Sequence, residues 1–338
     1  MNGAVRRPRA LAVLAVCALA LAGCGAKKDV IGPGNPARFN LMLDFFPNAD
    51  HAAIYAAMAH GDFRREGLDV SPQVPSDPSA PLTLLAAGRV DMAISYEPEL
   101  LLARDRGLPL VSVGALVQRP LTSIIALGDR HISRVADLAG KQVGTAGIPY
   151  QAAELQTALQ RAGVPPSRVR QVDVGFNLVP AMLSHKVDAT IGGFWNYEGI
   201  QLAQAHRTPT VIPVDQAGVP RYDELILVVR QDEAQSQGAK IRAFLQALTR
   251  GEQEVRSDPA REIQPLLKAN RDLSRPLQLA SVRRTLPVTL PGGGHPFGYQ
   301  DPLQWETFAQ WMFEHRLVTQ LPDVGRALTN EFLPGQGI

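Results

Sequence analysis

The stretch RVDMAI (89–94) returns further along the chain as KVDATI (186–191). Both copies open on a basic residue, continue Val-Asp, and reach isoleucine after two more positions. Each is a short apolar run fit for a buried strand. Each also follows an apolar helical stretch, with Leu85 and Met182 in equivalent places. The match itself is short, but its flanks match too, and together they point to two lobes of like construction.

Working outward, the same alternation continues. FNLMLDFF (39–46) reads as a buried strand, HAAIYAAMAH (51–60) as a small helix, and GDFRREGLDV returns to a strand around Leu68. PLTLLAAG (81–88) is a helix that Gly88 can cap. GKQV (140–143) starts another strand, and QAAELQTALQRAG (151–163) supplies its helix. Strands alternating with helices imply βαβ units and parallel sheet, an α/β fold.

Two segments can join the lobes: PLTSIIAL (120–127) and RYDELILVVR (221–230). A chain that crosses out and back builds one lobe from two pieces. The expected division is lobe I over 38–124, lobe II over 125–222, and a second part of lobe I over 223–338. That last part reads as mostly helical, in KIRAFLQALTRGEQEV and WETFAQWMFEHRLV. Trp305, Phe308, Trp311 and Met312 fall at helical spacing, which marks them as core.

In open α/β sheets, ligands sit beyond the carboxyl ends of the strands. Two such lobes facing each other form a cleft. At one strand end lies GGFWNYEG (192–199). Trp195 and Tyr197 offer flat faces with polar edges, and Asn196 supplies both a donor and an acceptor. Glu198 can accept two parallel hydrogen bonds from an amino-heteroaromatic edge, with charge assistance when the ring nitrogen is protonated. A hydrophobic corner with Glu198 in solvent is the plainer reading. In a strand Trp195 and Tyr197 share a face; in a helix Trp195 and Glu198 do.

Three further clusters fall at strand ends. In LDFFPNADH (43–51), Phe45 can stack while Asn48 and His51 turn into the cleft; alternatively Asn48 or Asp50 simply caps the next helix. SYE (95–97) contributes Ser95 and Tyr96. GTAGIPY (144–150) lies between a strand and a helix, where free N–H groups can bind an anionic or carbonyl oxygen, or merely make a turn; it ends on Tyr150.

The first residues address the compartment. Arg6, Arg7 and Arg9 precede an apolar run, Ala10 to Ala22, that is short for a bilayer span, and LAGC (21–24) follows. Residues 1–23 read as a signal peptide, Cys24 as a lipidated cysteine, and 24–37 as anchor and tether. Cleavage there removes three arginines and no acid, moving the formal charge from +2 to −1. No basic patch then argues for nucleic acid. Cys17 leaves with the signal, so an intramolecular disulfide, cysteine catalysis and a cysteine metal cluster are excluded. The seven histidines show neither i, i+3 nor i, i+4 pairs nor HxH, so no metal site is expected. No G-x-S-x-G, P-loop or G-x-G-x-x-G occurs. GGGHPFG (292–298) is a loop, either a lid or a simple turn.

LDFFPNADHAAIYAA, GDFRREGLDV, AAGRVDMAISY, ISRVADLAGKQVG and FWNYEGIQL together resemble the substrate-binding lipoproteins of ABC importers. Within them, the chain is similar to the branch of bacterial thiamine-pyrimidine binders and yeast pyrimidine-precursor synthase. The resemblance covers most of residues 39–230. It implies a bilobal, hinged periplasmic-binding-protein type II fold and no cofactor. It also implies a monomer on the outer face of the membrane that hands an aminopyrimidine, of hydroxymethylpyrimidine or formylaminopyrimidine type, to a permease. Position by position it assigns ligand contact to Phe45, Asn48 and His51, to Ser95 and Tyr96, to Thr122 and Ser123, and to Trp195, Tyr197 and Glu198. Relatives often carry Trp where Phe45 stands, which leaves riboflavin or another planar heteroaromatic as an alternative ligand. The related enzymes consume a histidine and bound pyridoxal phosphate. His51 sits in the similar motif, but the enzymes' cysteine-rich motif has no counterpart, so the resemblance implies a binding protein.

Overall fold

A computed structural model describes residues 32–335 and Met1. The expected signal peptide and Cys24 lie outside the described residues.

Among the described residues, ten strands form two five-stranded sheets. The first holds β1 (Ala37–Met42), β2 (Leu68–Gln73), β3 (Met92–Ser95), β4 (Leu110–Val117) and β10 (Leu225–Arg230) in the order β2-β1-β3-β10-β4. The second holds β5 (Thr122–Leu127), β6 (Gln142–Thr145), β7 (Arg170–Asp173), β8 (Ala189–Phe194) and β9 (Pro209–Pro213) in the order β7-β6-β8-β5-β9. The two repeat copies become β3 and β8, each the central strand of its sheet. Each pairs in parallel with one neighbour (β1 or β6) and antiparallel with a crossing strand (β10 or β5).

The helices that matter below are α1 (Ala52–His60), α2 (Pro149–Arg161), α3 (Glu198–Gln204), α4 (Gly238–Ser257), α5 (Arg275–Thr285) and α6 (Pro302–Glu314). α4 lays Ile241, Phe244, Leu245 and Leu248 against the first lobe, in contact with α1, which fits its i, i+3, i+4, i+7 spacing. Trp305, Phe308, Trp311 and Met312 of α6 are buried in one continuous core with residues of both sheets, among them Ala115, Ile124 and Val228. Among the described residues, no helix is long and apolar enough to cross a membrane.

The first crossing falls earlier than expected. β5 belongs whole to the second sheet, so the chain passes between lobes at 118–121 rather than at 124. It returns through 214–224. A buried carboxylate ties the two crossings together. Glu224 Oε2 accepts the Leu121 N–H (2.6 Å) and the Thr122 N–H (2.8 Å), and Oε1 accepts the Thr122 hydroxyl (3.1 Å). Burial raises the Glu224 carboxyl to about 7. The loop 292–298 lines a groove with Arg119 and Arg221 of the crossings and supplies none of the cleft's walls, so it is not a lid over the cleft.

Candidate functional site

Between the carboxyl ends of β1, β3, β6 and β8 lies a narrow cleft; the space between its walls, open solvent included, is about 550 Å³. The first lobe contributes Asp44, Phe45, Asn48, Asp50 and Tyr96; the second contributes Tyr150, Gln151, Phe176, Phe194, Tyr197 and Glu198. Six aromatic rings stand in its walls. Phe45 meets Phe176 of the other lobe edge-on, with ring centroids 4.5 Å apart, so the two rings meet across the cleft.

β8 ends at Phe194, a turn carries 195–197, and α3 begins at Glu198. This geometry separates the cluster's side chains. Tyr197 and Glu198 face the cavity, whereas Trp195 turns to the hinge. Its indole N–H donates to the Pro120 carbonyl at 3.0 Å, and the Arg284 guanidinium lies 5.6 Å from its ring centre. Trp195 is therefore not a stacking face of this cavity. Asn196 is fully buried and also absent from the wall: its amide donates to Asp50 Oδ1 (2.8 Å) and to the Thr285 hydroxyl (2.6 Å). Glu198 Oε2 accepts the Phe194 N–H at 2.7 Å, and burial lifts its carboxyl to about 7. Gly192 is required here: its φ of +102° suits glycine, and a Cβ would lie 2.3 Å from Gln151 Nε2.

The first-strand motif divides in the same way. Phe45 and Asn48 line the cavity; His51 does not. The Asn48 side chain accepts the Asp50 N–H (2.8 Å), so Asn48 is a cap as well as a wall. His51 is fully buried, with Nδ1 accepting the Asn48 N–H (3.2 Å) and Nε2 therefore donating to Asp44 Oδ1 (2.9 Å). Tyr96 O–H donates to Asp44 Oδ2 at 2.9 Å. Burial, reinforced by the Asp44 charge, pushes the Tyr96 phenol well up and keeps it a donor. His51 thus acts through Asp44, by fixing its carboxylate.

Ser95 and Ser123 are likewise buried behind the wall. Ser95 Oγ donates to Glu99 (3.1 Å), and Ser123 Oγ donates to the Leu121 carbonyl (3.0 Å). Thr122 and Tyr150 reach the cavity. In the glycine turn before α2, two N–H groups are already engaged. The Ala146 N–H is taken by Gln151 Oε1 (2.8 Å), and the Gly147 N–H faces the Thr145 hydroxyl.

Sequence reasoning missed Asp44 and Phe176 and gave Asp50 only a capping role. Asp44 sits at the end of an apolar strand and Phe176 in a short loop, with no local pattern to mark either. Asp50 accepts the Thr285 hydroxyl (3.0 Å) besides the Asn196 amide, and burial raises it to about 6. Away from the cavity wall, His60, Glu254 and Glu262 place ligand-type atoms within 4.8 Å of one another. His60 Nε2 already bonds Glu262 at 2.8 Å, with Arg261 beside it, so the group reads as an ion-pair cluster.

Two α/β lobes, doubly connected and closed on a ring-lined cavity, define a bilobal binding protein of the periplasmic type II fold. The chain belongs to the NMT1/THI5-like family, whose match spans residues 48–262. It is 35% identical over 286 residues to the formylaminopyrimidine-binding protein of Halalkalibacterium halodurans, covering 83% of this chain and 86% of that one. It is 25% identical to a 4-amino-5-hydroxymethyl-2-methylpyrimidine phosphate synthase of Legionella pneumophila, over 88% and 92% of the two chains. The fold is shared with the periplasmic aliphatic sulphonate binding protein of Escherichia coli (TM-score 0.68, 19% identity, 88% and 99% coverage).

Proposed function

We propose that the protein is the extracytoplasmic substrate-binding component of an ABC importer and that it captures an aminopyrimidine thiamine precursor, of formylaminopyrimidine or hydroxymethylpyrimidine type. The observation that carries this reading is Glu198. A carboxylate on a cavity wall, beside Tyr197 and in a site capped by Phe45 and Phe176, suits the paired N–H edge of an aminopyrimidine stacked among rings. The formylaminopyrimidine-binding relative supports the ligand class.

A binding role rather than an enzymatic one is favoured by His51. The histidine in the enzymes' motif position is buried, with both ring nitrogens engaged. Export and lipid anchoring through Cys24 rest on the LAGC stretch, and transfer to a permease follows from that setting. A monomer suffices, because one chain supplies both walls.

Calorimetric titration with formylaminopyrimidine, hydroxymethylpyrimidine and riboflavin tests the ligand class. Micromolar or tighter binding of a pyrimidine supports it. Binding of riboflavin alone would move the assignment to larger heteroaromatics.

A further inference from the structure

The cavity wall carries three carboxyl groups, Asp44, Asp50 and Glu198, and no lysine, arginine or histidine among its described lining residues. The outer mouth, formed by Phe46, Pro47, Val179, Pro180, Gln201 and Leu273 together with shared wall residues, adds no lysine, arginine or histidine. Strong anion sites rely on such cations or on free backbone N–H groups. Two backbone donors of the wall are already engaged, Ala146 by Gln151 and Phe194 by Glu198 itself. The Asn48 amide donates to the Phe46 carbonyl, the Thr122 hydroxyl to Glu224, and the Tyr96 hydroxyl to Asp44. The side-chain donors left for a ligand are the Tyr150 and Tyr197 hydroxyls, the Gln151 amide and the second N–H of the Asn48 amide, all neutral, against three carboxyl groups.

Resting on the aminopyrimidine reading, we infer that this cavity is a charge filter: it takes the unphosphorylated heterocycle, neutral or protonated, and refuses its phosphate ester. A phosphate monoester carries roughly 1.5 to 2 negative charges near neutral pH. Placed beside Asp44 or Asp50, or beside Glu198 above pH 7 where that carboxyl is ionised, it meets like charge in a poorly solvated cleft and finds no cation to offset its lost hydration. The filter separates this chain from its synthase relatives, whose named product bears that phosphate.

The test is a pair of calorimetric titrations of the purified protein with 4-amino-5-hydroxymethyl-2-methylpyrimidine and with its phosphate ester. The alcohol is expected to bind about 100-fold more tightly or better, a gap that two like-charge contacts at intermediate dielectric supply. Equal or tighter binding of the phosphate ester overturns the filter. Gln201→Lys, which places a cation at the mouth, is expected to narrow the ratio about tenfold, the scale of one partly screened contact; an unchanged ratio counts against the electrostatic cause. If neither pyrimidine binds, the functional reading fails, and riboflavin against riboflavin 5′-phosphate decides the filter separately. Retention of riboflavin alone upholds it, and retention of the phosphate overturns it.

Discussion

The Asn196 amide of the second lobe lies 2.8 Å from Asp50 Oδ1 of the first, and 2.6 Å from the Thr285 hydroxyl of α5. These bonds cross the cleft at its flank, next to the ligand wall. Gln278 of the same helix donates to the Tyr197 hydroxyl at 2.9 Å. A C-terminal helix therefore holds both lobes where they meet. Hinge closure in such a fold is a shift between two arrangements, and contacts that join the lobes favour the one in which they lie close.

Asn196→Ala removes the cross-lobe donor while leaving the cavity wall intact. Ligand affinity is expected to fall about 5- to 30-fold, the value of one to two kcal/mol of hydrogen bonding lost from the closed state alone. Calorimetry measures the affinity, and small-angle scattering should show a more open unliganded form. An unchanged affinity would strip the contact of its closing role.

Glu198→Gln keeps an acceptor for the Phe194 N–H but loses the charge. Affinity for an aminopyrimidine is expected to weaken by about 1.5–3 kcal/mol, the scale of a charge-assisted bond. The melting temperature of the free protein should change little. Undiminished binding would remove Glu198 from ligand recognition.

The two aromatics flanking Asn196 should behave differently. Tyr197→Ala, on the wall, is expected to cost tenfold or more in affinity through lost stacking and burial, roughly 1.5 kcal/mol or above. Trp195→Phe removes the bond to the Pro120 carbonyl and part of the ring beneath Arg284, both away from the cavity, so affinity should hold within about threefold while stability drops by roughly 1 kcal/mol. A reversed ranking of the two variants would place Trp195 back in the site.

Binding and folding should answer pH in separable ways. Glu99, Asp223, Glu224 and Glu252 are raised by burial to about 7, against about 4 in the unfolded chain. Between those limits the folded state binds more protons, so stability falls as pH rises from about 4 to 7 and levels above. Asp137, held at about 2 by Ser133, acts only below that window. The free protein should melt several degrees higher at pH 5 than at pH 8. An opposite trend would mean that these carboxyls do not titrate high.

The complex, by contrast, needs one proton shared between Glu198 and the ring nitrogen. Above pH 7, where Glu198 is ionised, binding should take up a proton and weaken with rising pH. Calorimetry in buffers of different ionisation enthalpy reads that uptake. Glu198→Gln should flatten the dependence; a dependence kept intact in that variant would assign the proton elsewhere.

The parts legible in the sequence were those written in local period or in repetition. RVDMAI and KVDATI became the central strands β3 and β8, and the apolar spacing of α4 and α6 placed their core faces. The cleft followed from strand ends alone. Side-chain direction did not. β8 stops at Phe194, and the turn after it sends Trp195 toward Pro120 and Tyr197 toward the cavity, a choice that neither strand nor helix periodicity encodes. Asp44 and Phe176 escaped notice because their partners, Tyr96 and Phe45, are remote in the chain. The role of Asn196 depends on Thr285, supplied by a helix that no pattern near the site announces.

The most direct test of the central claim is native mass spectrometry of the protein purified from a bacterial cell, followed by titration with formylaminopyrimidine. The account predicts a retained or titratable ligand in the mass range of a small aminopyrimidine, one per chain, bound about 10- to 150-fold more weakly in Glu198→Gln. A protein that carries a flavin, or that leaves every aminopyrimidine unbound, would contradict it.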